Sequence, residues 1–360
     1  MIDPVTSLNE VAQHQAEQRQ MLLTKPIGSL GVLEHLAIQF AAWQGESKPM
    51  LERVHISIFA ADHGVAEEGV SAFPQVVTAE MVKNFVRGGA AISVLAQYHQ
   101  ATLEIIDVGV KDFPSFVNVI RARAGNATNN IAQKNAMTEG QLQLALQAGK
   151  QAADRAKDKS TQLFIGGEMG IANTTSATAI ACVLLNITDA AALTGAGTGL
   201  DKAGIQHKSR VITTILARYN KARYHKKIMQ QQTFNDNQRL EMSLKLLCII
   251  GGFEIAALVA AFIRCAQLGM PILVDGFITT AAALVAIKIN NNVKQWLLFS
   301  HCSAESGHAK MLLALGTKSL IDFEMRLGEA SGAAMVIPLI KQALVLHNNM
   351  ATFAEAEVSK

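Results

Sequence analysis

The sequence has little of several features that mark particular classes of protein. Only 5% of its 360 residues are aromatic and 17% are charged, whereas half are hydrophobic, so we expect an aliphatic core and no bulk disorder. The 32 Lys and Arg residues nearly balance the 29 Asp and Glu residues, which leaves a net charge of +3. Without a clustered basic excess, nucleic acid is not expected as the main partner, but a small anionic ligand is compatible with this charge.

Cysteines and membrane signals are also scarce. The cysteines are Cys182, Cys248, Cys265 and Cys302. They show no CxxC or short Cys/His spacing, so neither a disulfide framework nor a zinc site is predicted. The N-terminus is polar and acidic, unlike a signal peptide. The strongest membrane candidate, 247–263, contains Glu254 and falls short of the roughly 20 apolar residues of a span. We therefore expect a cytoplasmic protein without a membrane segment.

From Arg53 onward, short apolar runs that end in Gly or Asp alternate with longer helical patterns. This alternation predicts an α/β fold with a doubly wound parallel sheet. The predicted strands lie in 55–64, 103–110, 162–170, 270–277 and 295–301. The predicted helical stretches include 77–96, 174–186, 279–289 and 305–315. Residues 1–45 are predicted to form helices interrupted by a turn at 26–28, and the polar stretch 218–239 a surface loop or exposed helix.

Polar residues and glycines lie at the ends of these predicted strands. Ligands of open α/β sheets bind beyond the carboxyl ends of the strands, so these groups are the first candidates for a site. They are Asp62-His63-Gly64, Asp107-Val108-Gly109, Gly166-Gly167-Glu168, Asp275-Gly276 and Ser300-His301.

The segment GGEMGIANTTSATAI, 166–180, combines glycines with a polar helix start. We predict that Gly166, Gly167 and Gly170 follow a strand and that Asn173 and Thr174 begin a helix. Backbone N–H groups, hydroxyls and the helix dipole at such a terminus favour phosphate or carboxylate. The alternative is an ordinary helix capped by Asn or Thr without any ligand.

A second glycine-rich turn, LTGAGTGLD at 193–201, precedes a helical stretch that contains Lys208. Its spacing is neither that of a P-loop nor GxGxxG, so it predicts either a phosphate or ribose contact or a plain connection.

A metal site is the alternative interpretation of the acids and histidines at 62–68 and of His301 with His308. No HExxH or similar spacing supports it, so no metal is predicted.

The segment RLGEASGAAM, 326–335, places Glu329 among small residues at a predicted helix start. An acid at this position usually interacts with the helix dipole and nothing more. Small neighbours would also let a flat ligand approach, and an apolar environment would raise the pKa of the carboxyl group. Glu329 is therefore a candidate base.

Eight segments, in order along the whole chain, carry a family resemblance. They are TKPIGSLGVLE (24–34), ADHGVAEEGVSAFPQVVTAEMVKNFVRGGAAI (61–92), GEMGIANTTSATA (167–179), GAGTGLD (195–201), GGFEIAAL (251–258), VDGFITTAAAL (274–284), SAESGH (303–308) and RLGEASGAA (326–334). Together they closely resemble the nicotinate-nucleotide:5,6-dimethylbenzimidazole phosphoribosyltransferase family, which makes the lower-ligand nucleotide of cobalamin.

The resemblance implies a Rossmann-like parallel sheet in a large catalytic domain, 46–334, and a small helical domain from both chain ends, 1–45 plus 335–360. It implies a homodimer with active sites near the subunit interface. The implied substrates are nicotinate mononucleotide and a benzimidazole-type base, and the products are nicotinate and α-ribazole 5′-phosphate. We expect no cofactor and no metal, because the leaving pyridinium departs as an uncharged ring and needs no acid.

The resemblance also implies roles for single residues. Glu329 matches the family's general base, and Glu168 matches a second functional acid. Gly170, Asn173, Thr174, Gly197 and Lys208 fall on segments that surround the phosphate and ribose of the nucleotide. Ser71 lies in the segment that holds the benzimidazole.

Three positions depart from the family pattern. Ile27 stands in place of a proline, Ala172 stands where Gly is frequent and Ala196 where Arg is frequent. We expect Ala172 to tighten the phosphate turn and Ala196 to remove a cation near the anion.

Two other functions compete with this one. TGAGT, 194–198, faintly resembles the loop of pyrophosphate-dependent phosphoribosyltransferases, but only Asp189 precedes it where that loop follows two adjacent acids. The chain could instead be a nucleotide-binding sensor that has lost catalysis. The presence of both Glu168 and Glu329 argues against a sensor.

Overall fold

The computed structural model describes residues 1–221 and 234–359, which are built around a parallel sheet. The strands are β1 Val54–Ala61, β2 Thr102–Gly109, β3 Val119–Arg121, β4 Leu163–Met169, β5 Ile272–Val274 and β6 Leu297–Phe299. They pair in the order β3-β2-β1-β4-β5-β6, and every pair is parallel. The order reverses direction between β1 and β4, as in a doubly wound Rossmann-like sheet, so the predicted fold class is confirmed.

Helices pack on this sheet and on one another. They are α1 Glu10–Leu22, α2 Val32–Gln44, α3 Val77–Arg87, α4 Ala91–Tyr98, α5 Glu139–Asp158, α6 Asn173–Leu184, α7 Lys202–Lys221, α8 Asp236–Ile250, α9 Phe253–Gln267, α10 Phe277–Ile289, α11 His308–Ala314 and α12 Ser331–Asn349. Helix α9 is buried along almost its whole length, between α5, α10 and the central strands. This burial explains why most residues of α9 are apolar.

Each of the five predicted strands is present, but the short strand β3 and the long helix α5 were not predicted. The predicted helical stretch 77–96 is wrong in one respect, because it consists of two helices, α3 and α4. Gly88 ends α3 with a left-handed φ of 84°, and its N–H bonds back to carbonyls of α3. The predicted loop or exposed helix at 218–239 spans the end of α7 and the start of α8, and its residues 222–233 lie outside the described residues.

The two chain ends meet. Helices α1 and α12 both pack on α2, and Leu23 pairs with Thr352 in an isolated antiparallel bridge. The guanidinium of Arg19 donates hydrogen bonds to the carbonyls of His347, Asn348 and Met350, at 2.7 to 3.2 Å. The apolar core is continuous from these helices into the sheet. The division into 1–45 plus 335–360 and 46–334 therefore stays a prediction.

Within the described residues, no helix combines the length and the apolarity required to cross a membrane. The candidate segment at 247–263 is divided between α8 and α9 by the pair Gly251-Gly252. Its acid, Glu254, is fully buried and hydrogen-bonded to His63, with 2.6 Å between Oε1 and Nε2.

Candidate active site

A cavity of about 650 Å³ opens at the carboxyl edge of the sheet. Its walls come from the ends of β4, β5 and β6, from residues between 70 and 81, from the turn at 197–198 and from the loop at 326–329. Seven of the predicted site residues line it. They are Ser71, Glu168, Gly170, Asn173, Thr174, Gly197 and Glu329. The structure thus brings together groups that lie up to 258 positions apart in the sequence.

Two of the predicted strand-end acids do not line this cavity. The Asp62 carboxylate accepts the backbone N–H of Lys111 at 2.8 Å. The Asp107 carboxylate accepts the N–H groups of Gly109 and Val110 at 3.0 and 2.8 Å. These acids hold the loop that follows β2.

The prediction that Gly166 and Gly167 follow a strand is wrong, because both lie inside β4. They are part of a central strand that pairs with β1 on one side and with β5 on the other. A Cβ added at Gly167 would lie 2.8 Å from the Cβ of Ala330. The absence of a side chain therefore lets the start of α12 touch the sheet, which brings Glu329 to the same cavity as Glu168.

The first turn of α6 faces the cavity through Ala172, Asn173 and Thr174. The N-cap residue is Ala172, and no side chain caps the helix. Asn173 instead turns its amide toward β4, where Nδ2 donates to Oε2 of Glu168. The interpretation of this segment as an ordinary helix capped by Asn or Thr is therefore wrong. An uncapped helix N-terminus at a cavity favours an anion.

Lys208 lies behind the cavity wall rather than in it. Its side chain is fully buried on α7, and Nζ donates to Oγ1 of Thr174 at 2.7 Å and to the carbonyl of Gly195 at 3.4 Å. Burial lowers the pKa of Lys208 to about 8, although the charge of Glu305 opposes this effect. The ammonium group thus adds positive charge behind the first turn of α6.

The glycine-rich turn at 195–199 is held by a buried acid. Oε1 of Glu305 accepts the N–H of Gly197 at 2.8 Å. The other oxygen of this carboxylate, Oε2, is buried and has no hydrogen-bond partner among the described residues. The N–H of Gly197 is therefore used in a structural hydrogen bond and is not available to a ligand. Gly197 contributes to the cavity only as part of its wall.

Ser71 connects two walls of the cavity. Its hydroxyl lies 3.0 Å from Oγ1 of Thr198, which also accepts the backbone N–H of Ala72 at 3.1 Å. These bonds join the segment after β1 to the glycine-rich turn. A role of Ser71 in holding a base stays a prediction.

The two glutamates of the cavity differ in acidity. Burial raises the pKa of Glu168 to about 8, and the charges of Glu254, Asp275 and Glu329 add to this effect, while the amide of Asn173 opposes it. Burial together with the charge of Asp275 raises the pKa of Glu329 to about 7. At neutral pH Glu168 carries a proton and Glu329 is partly ionised. One group can donate a hydrogen bond while the other accepts a proton.

Other groups of the cavity were not assigned to the site from the sequence. They are Asp275, His301, Ser303, Glu305 and Arg326. Asp275 was recognised only as a strand-end residue, and His301 as a strand-end residue and, with His308, in the metal interpretation. Glu305 and Arg326 lie inside the resembling segments but had no role there. Arg326 is the only Lys or Arg among the cavity-lining residues in the described part of the chain, whereas Ala196 is not among them.

No group of three or more His, Cys, Asp or Glu side chains in the described ranges is arranged to hold a metal ion. The His301 and His308 rings are neighbours, with centroids 6.2 Å apart. His308 is engaged by the fold, because Nδ1 accepts the N–H of Ser303 at 2.7 Å and Nε2 lies 2.9 Å from the hydroxyl of Thr280.

The chain has relatives along its full length. Residues 5–358 match the sequence profile of a phosphoribosyltransferase family. The nicotinate-nucleotide–dimethylbenzimidazole phosphoribosyltransferase of Xanthomonas axonopodis pv. citri is 54% identical over 342 residues, which are 95% of this chain and 93% of that protein. The enzyme of the same name from Pseudomonas putida KT2440 is 51% identical over 358 residues, or 99% and 97% of the two chains.

A solved structure has the same fold. The crystal structure of CobT from Thermus thermophilus superposes with a TM-score of 0.87 at 38% identity, and the match covers 97% of this chain and 99% of that one.

Ala172 generates a prediction about stability. Its φ of 75° is left-handed, which costs an L-residue about 1–2 kcal/mol, while the extra freedom that glycine gives the unfolded chain costs about 0.4–1 kcal/mol. We therefore expect Ala172→Gly to raise the free energy of unfolding by up to about 1 kcal/mol, measured by urea denaturation. Ala179→Gly, in the interior of α6, is the matched control and should lower this free energy by about 1 kcal/mol. Equal losses in both variants would contradict strain at Ala172.

Proposed function

The chain belongs to the nicotinate-nucleotide–dimethylbenzimidazole phosphoribosyltransferase family, and from this membership we propose how the cavity performs the reaction of the family. The reaction transfers the phosphoribosyl group of nicotinate mononucleotide to 5,6-dimethylbenzimidazole or a related base. It releases nicotinate and forms α-ribazole 5′-phosphate for cobalamin biosynthesis. One observation carries the proposal: two buried glutamates of different acidity share a cavity with an uncapped helix N-terminus.

The phosphate is proposed to bind at the first turn of α6. The residues there are Gly170, Asn173 and Thr174, and the positive end of the helix dipole faces the cavity. Lys208 supports this position from behind through its hydrogen bond to Thr174. A second anionic group, the carboxylate of the nicotinate ring, would be matched by the exposed guanidinium of Arg326.

The base is proposed to lie against the apolar part of the wall. Val77, Met81 and Phe73 come from α3 and the loop before it, and Leu327 lies two residues before Glu329. These side chains present an apolar surface to a flat aromatic ring. A pocket of this kind discriminates weakly between bases that differ by a methyl group.

Glu329 is proposed to act as the general base. A ring nitrogen of the base attacks C1′ of the ribose with its lone pair, and the bond between C1′ and the nicotinate nitrogen breaks with its electron pair going to that nitrogen. Glu329 accepts the N–H proton from the other nitrogen of the base, which avoids a cationic product. Attack from the face opposite to nicotinate inverts C1′ from β to α. Glu168, protonated at neutral pH, supplies a hydrogen-bond donor beside this centre.

We also propose a cytoplasmic homodimer, as the family resemblance implies. Phe73 and Leu327 line the cavity, yet they are 52% and 58% exposed, so the rim of the cavity presents apolar surface. A neighbouring subunit would cover such surface. The molar mass in solution, measured by light scattering, tests the dimer.

The function itself is tested by the dependence of nicotinate release on the base. Purified protein with nicotinate mononucleotide should release nicotinate only when dimethylbenzimidazole is present, in a one-to-one ratio with α-ribazole 5′-phosphate, as measured by chromatography. Binding of the nucleotide without release would favour the sensor. Release that requires pyrophosphate instead of a base would favour the pyrophosphate-dependent alternative.

Lys208→Met tests the support of the phosphate site. Methionine keeps much of the buried volume but removes the charge, so we expect the KM for the nucleotide to rise about 10-fold, or about 1.4 kcal/mol, with little change in the KM for the base. Because Lys208 loses its charge as the pH rises through about 8, the nucleotide KM of the unmodified protein should also rise above that pH. This pH dependence should be absent in the variant.

Lys202→Met, an exposed position at the start of the same helix, is the control for Lys208 and should leave both constants unchanged. A nucleotide KM that is the same in Lys208→Met and in Lys202→Met would reject the role of Lys208.

Glu329→Gln tests the general base. Glutamine keeps the size of the side chain but cannot accept a proton, so turnover at neutral pH should fall about 10²-fold or more while the base still binds. Raising the pH should recover little activity, because an azole N–H does not ionise near neutrality. In the unmodified protein, kcat/KM should fall as the pH drops below about 7, where Glu329 becomes protonated.

Glu324→Gln, on an exposed part of the same loop, is the matched control and should keep full turnover. Near-normal turnover of Glu329→Gln would instead move the role of base to Glu168.

A further inference from the structure

The carboxylate of Asp275 binds the start of the helix that follows Glu329. Asp275 comes directly after β5 and is 1% exposed. Its Oδ1 accepts the N–H of Ala333 at 2.7 Å, and the backbone N–H groups of Ala330 and Gly332 lower the pKa of the same carboxyl group. A side chain from a different strand thus caps α12, whose N-cap residue, Ala330, has no capping side chain of its own.

The turn held by this carboxylate has an unfavourable backbone. Gly328, Glu329 and Ala330 have φ values of 82°, 63° and 64°, all left-handed. For Glu329 and Ala330 this conformation costs about 1–2 kcal/mol each, so surrounding contacts must stabilise it. Asp275 accepts a hydrogen bond from Ala333 on the C-terminal side of the turn, and the N–H and the hydroxyl of Ser331 close the turn onto the carbonyl of Gly328 at 3.0 and 2.7 Å.

Close packing leaves the turn little freedom to shift. A Cβ added at Gly332 would lie 2.1 Å from Nδ1 of His301, so the imidazole ring touches the backbone of α12. The same nitrogen lies 3.9 Å from Oδ1 of Asp275. Any change of the Asp275 carboxylate therefore acts directly on the backbone that carries Glu329.

We propose that Asp275 is a positioning residue for Glu329, which fixes the turn that carries this base and, by its negative charge, keeps it a strong proton acceptor. This inference rests on the proposed role of Glu329. Asp275 does not itself exchange a proton with the substrate. It fixes the backbone geometry around Glu329 and contributes to the electrostatic field at that carboxyl group.

The charged groups around Asp275 and Glu329 support these different roles, with Asp275 as the positioning residue and Glu329 as the base. Glu329 is faced by Glu168 from β4 and by Asp275 from the end of β5, and Arg326 of its own loop lines the same cavity. Asp275 is faced by His301. Burial raises the pKa of Asp275, while His301 and the three backbone N–H groups oppose this and favour the ionised form. Burial is the larger cause of the raised pKa of Glu329, and the charge of Asp275 adds to it.

The test compares Asp275→Asn with Asp275→Ala in the full-length protein. Asparagine keeps an oxygen for the backbone N–H groups but removes the charge. In a plot of kcat/KM against pH, the fall on the acid side, the acid limb, should therefore move about one unit to lower pH. The maximal kcat/KM above this limb should decrease, because Glu329 becomes a weaker base. Alanine also removes the hydrogen bonds, so Asp275→Ala should lose more activity than Asp275→Asn at every pH. Thermal unfolding of both variants establishes that they are folded at the assay temperature.

Asp107→Asn is the matched control, because Asp107 lies near the carboxyl end of β2, is buried and accepts backbone N–H groups but does not line the cavity. Its acid limb should stay at the position of the unmodified protein. If folded Asp275→Asn has its acid limb of kcat/KM at the same pH as the unmodified protein, the inference about Asp275 is overturned, while the proposed function stays intact. If the residual activity of Glu329→Gln kept the original limb, Glu329 would not be the titrating base, and the proposed role of Glu329 would fail instead.

Discussion

Water is excluded from several carboxyl groups at the carboxyl edge of the sheet, and much of the surrounding structure compensates for this. Five of the buried acids are Glu168, Glu254, Asp275, Glu305 and Glu329. Burying a carboxylate without hydrogen-bond partners has a large desolvation free energy, and each of these acids reduces it in a different way. Glu254 pairs with His63, Glu305 accepts the N–H of Gly197 and Asp275 accepts the N–H of Ala333 in α12. Only Glu168 and Glu329 have strongly raised pKa values near neutrality, and both face the cavity. The fold thus separates acids that hold structure from acids that can exchange protons.

This separation has a consequence for stability. The pKa values of Glu168 and Glu329 in the folded protein lie above that of an unfolded glutamate, so both favour the fold fully only at low pH. This contribution to stability is lost as the pH rises from the ordinary glutamate pKa, about 4.3, through the folded values of about 7 and about 8. The extensive aliphatic core, to which α9 contributes most of its residues, stabilises the fold and compensates for this loss.

The sequence predicted the parts of this structure that depend on local patterns. Apolar runs and their terminal Gly or Asp residues are properties of a few neighbouring residues, so the main strands and the polar groups at their ends were predicted. Strand β3 has three residues, of which none is fully buried, so it has almost no pattern to detect. The positions of Gly166 and Gly167 inside β4 depend on Ala330 and on the side chains of α9, which approach from distant parts of the chain. The role of Asp275 depends on a hydrogen bond to a residue 58 positions away. No local signal reveals such a contact.

Two helices begin at the cavity in the same unusual way, and they differ in what binds their N-termini. Both α6 and α12 follow an alanine with a left-handed φ, at Ala172 and Ala330, and neither has a capping side chain of its own. Each N-terminus carries partial positive charge and attracts an anion. The anion of α12 is internal, because the Asp275 carboxylate occupies that terminus. The first side chain of α6, Asn173, turns away to Glu168, so this terminus stays open to the cavity. Of these two helix N-termini only that of α6 is free to bind an anion, which is why the phosphate of the substrate is proposed to bind there, in the cavity that Glu329 also lines.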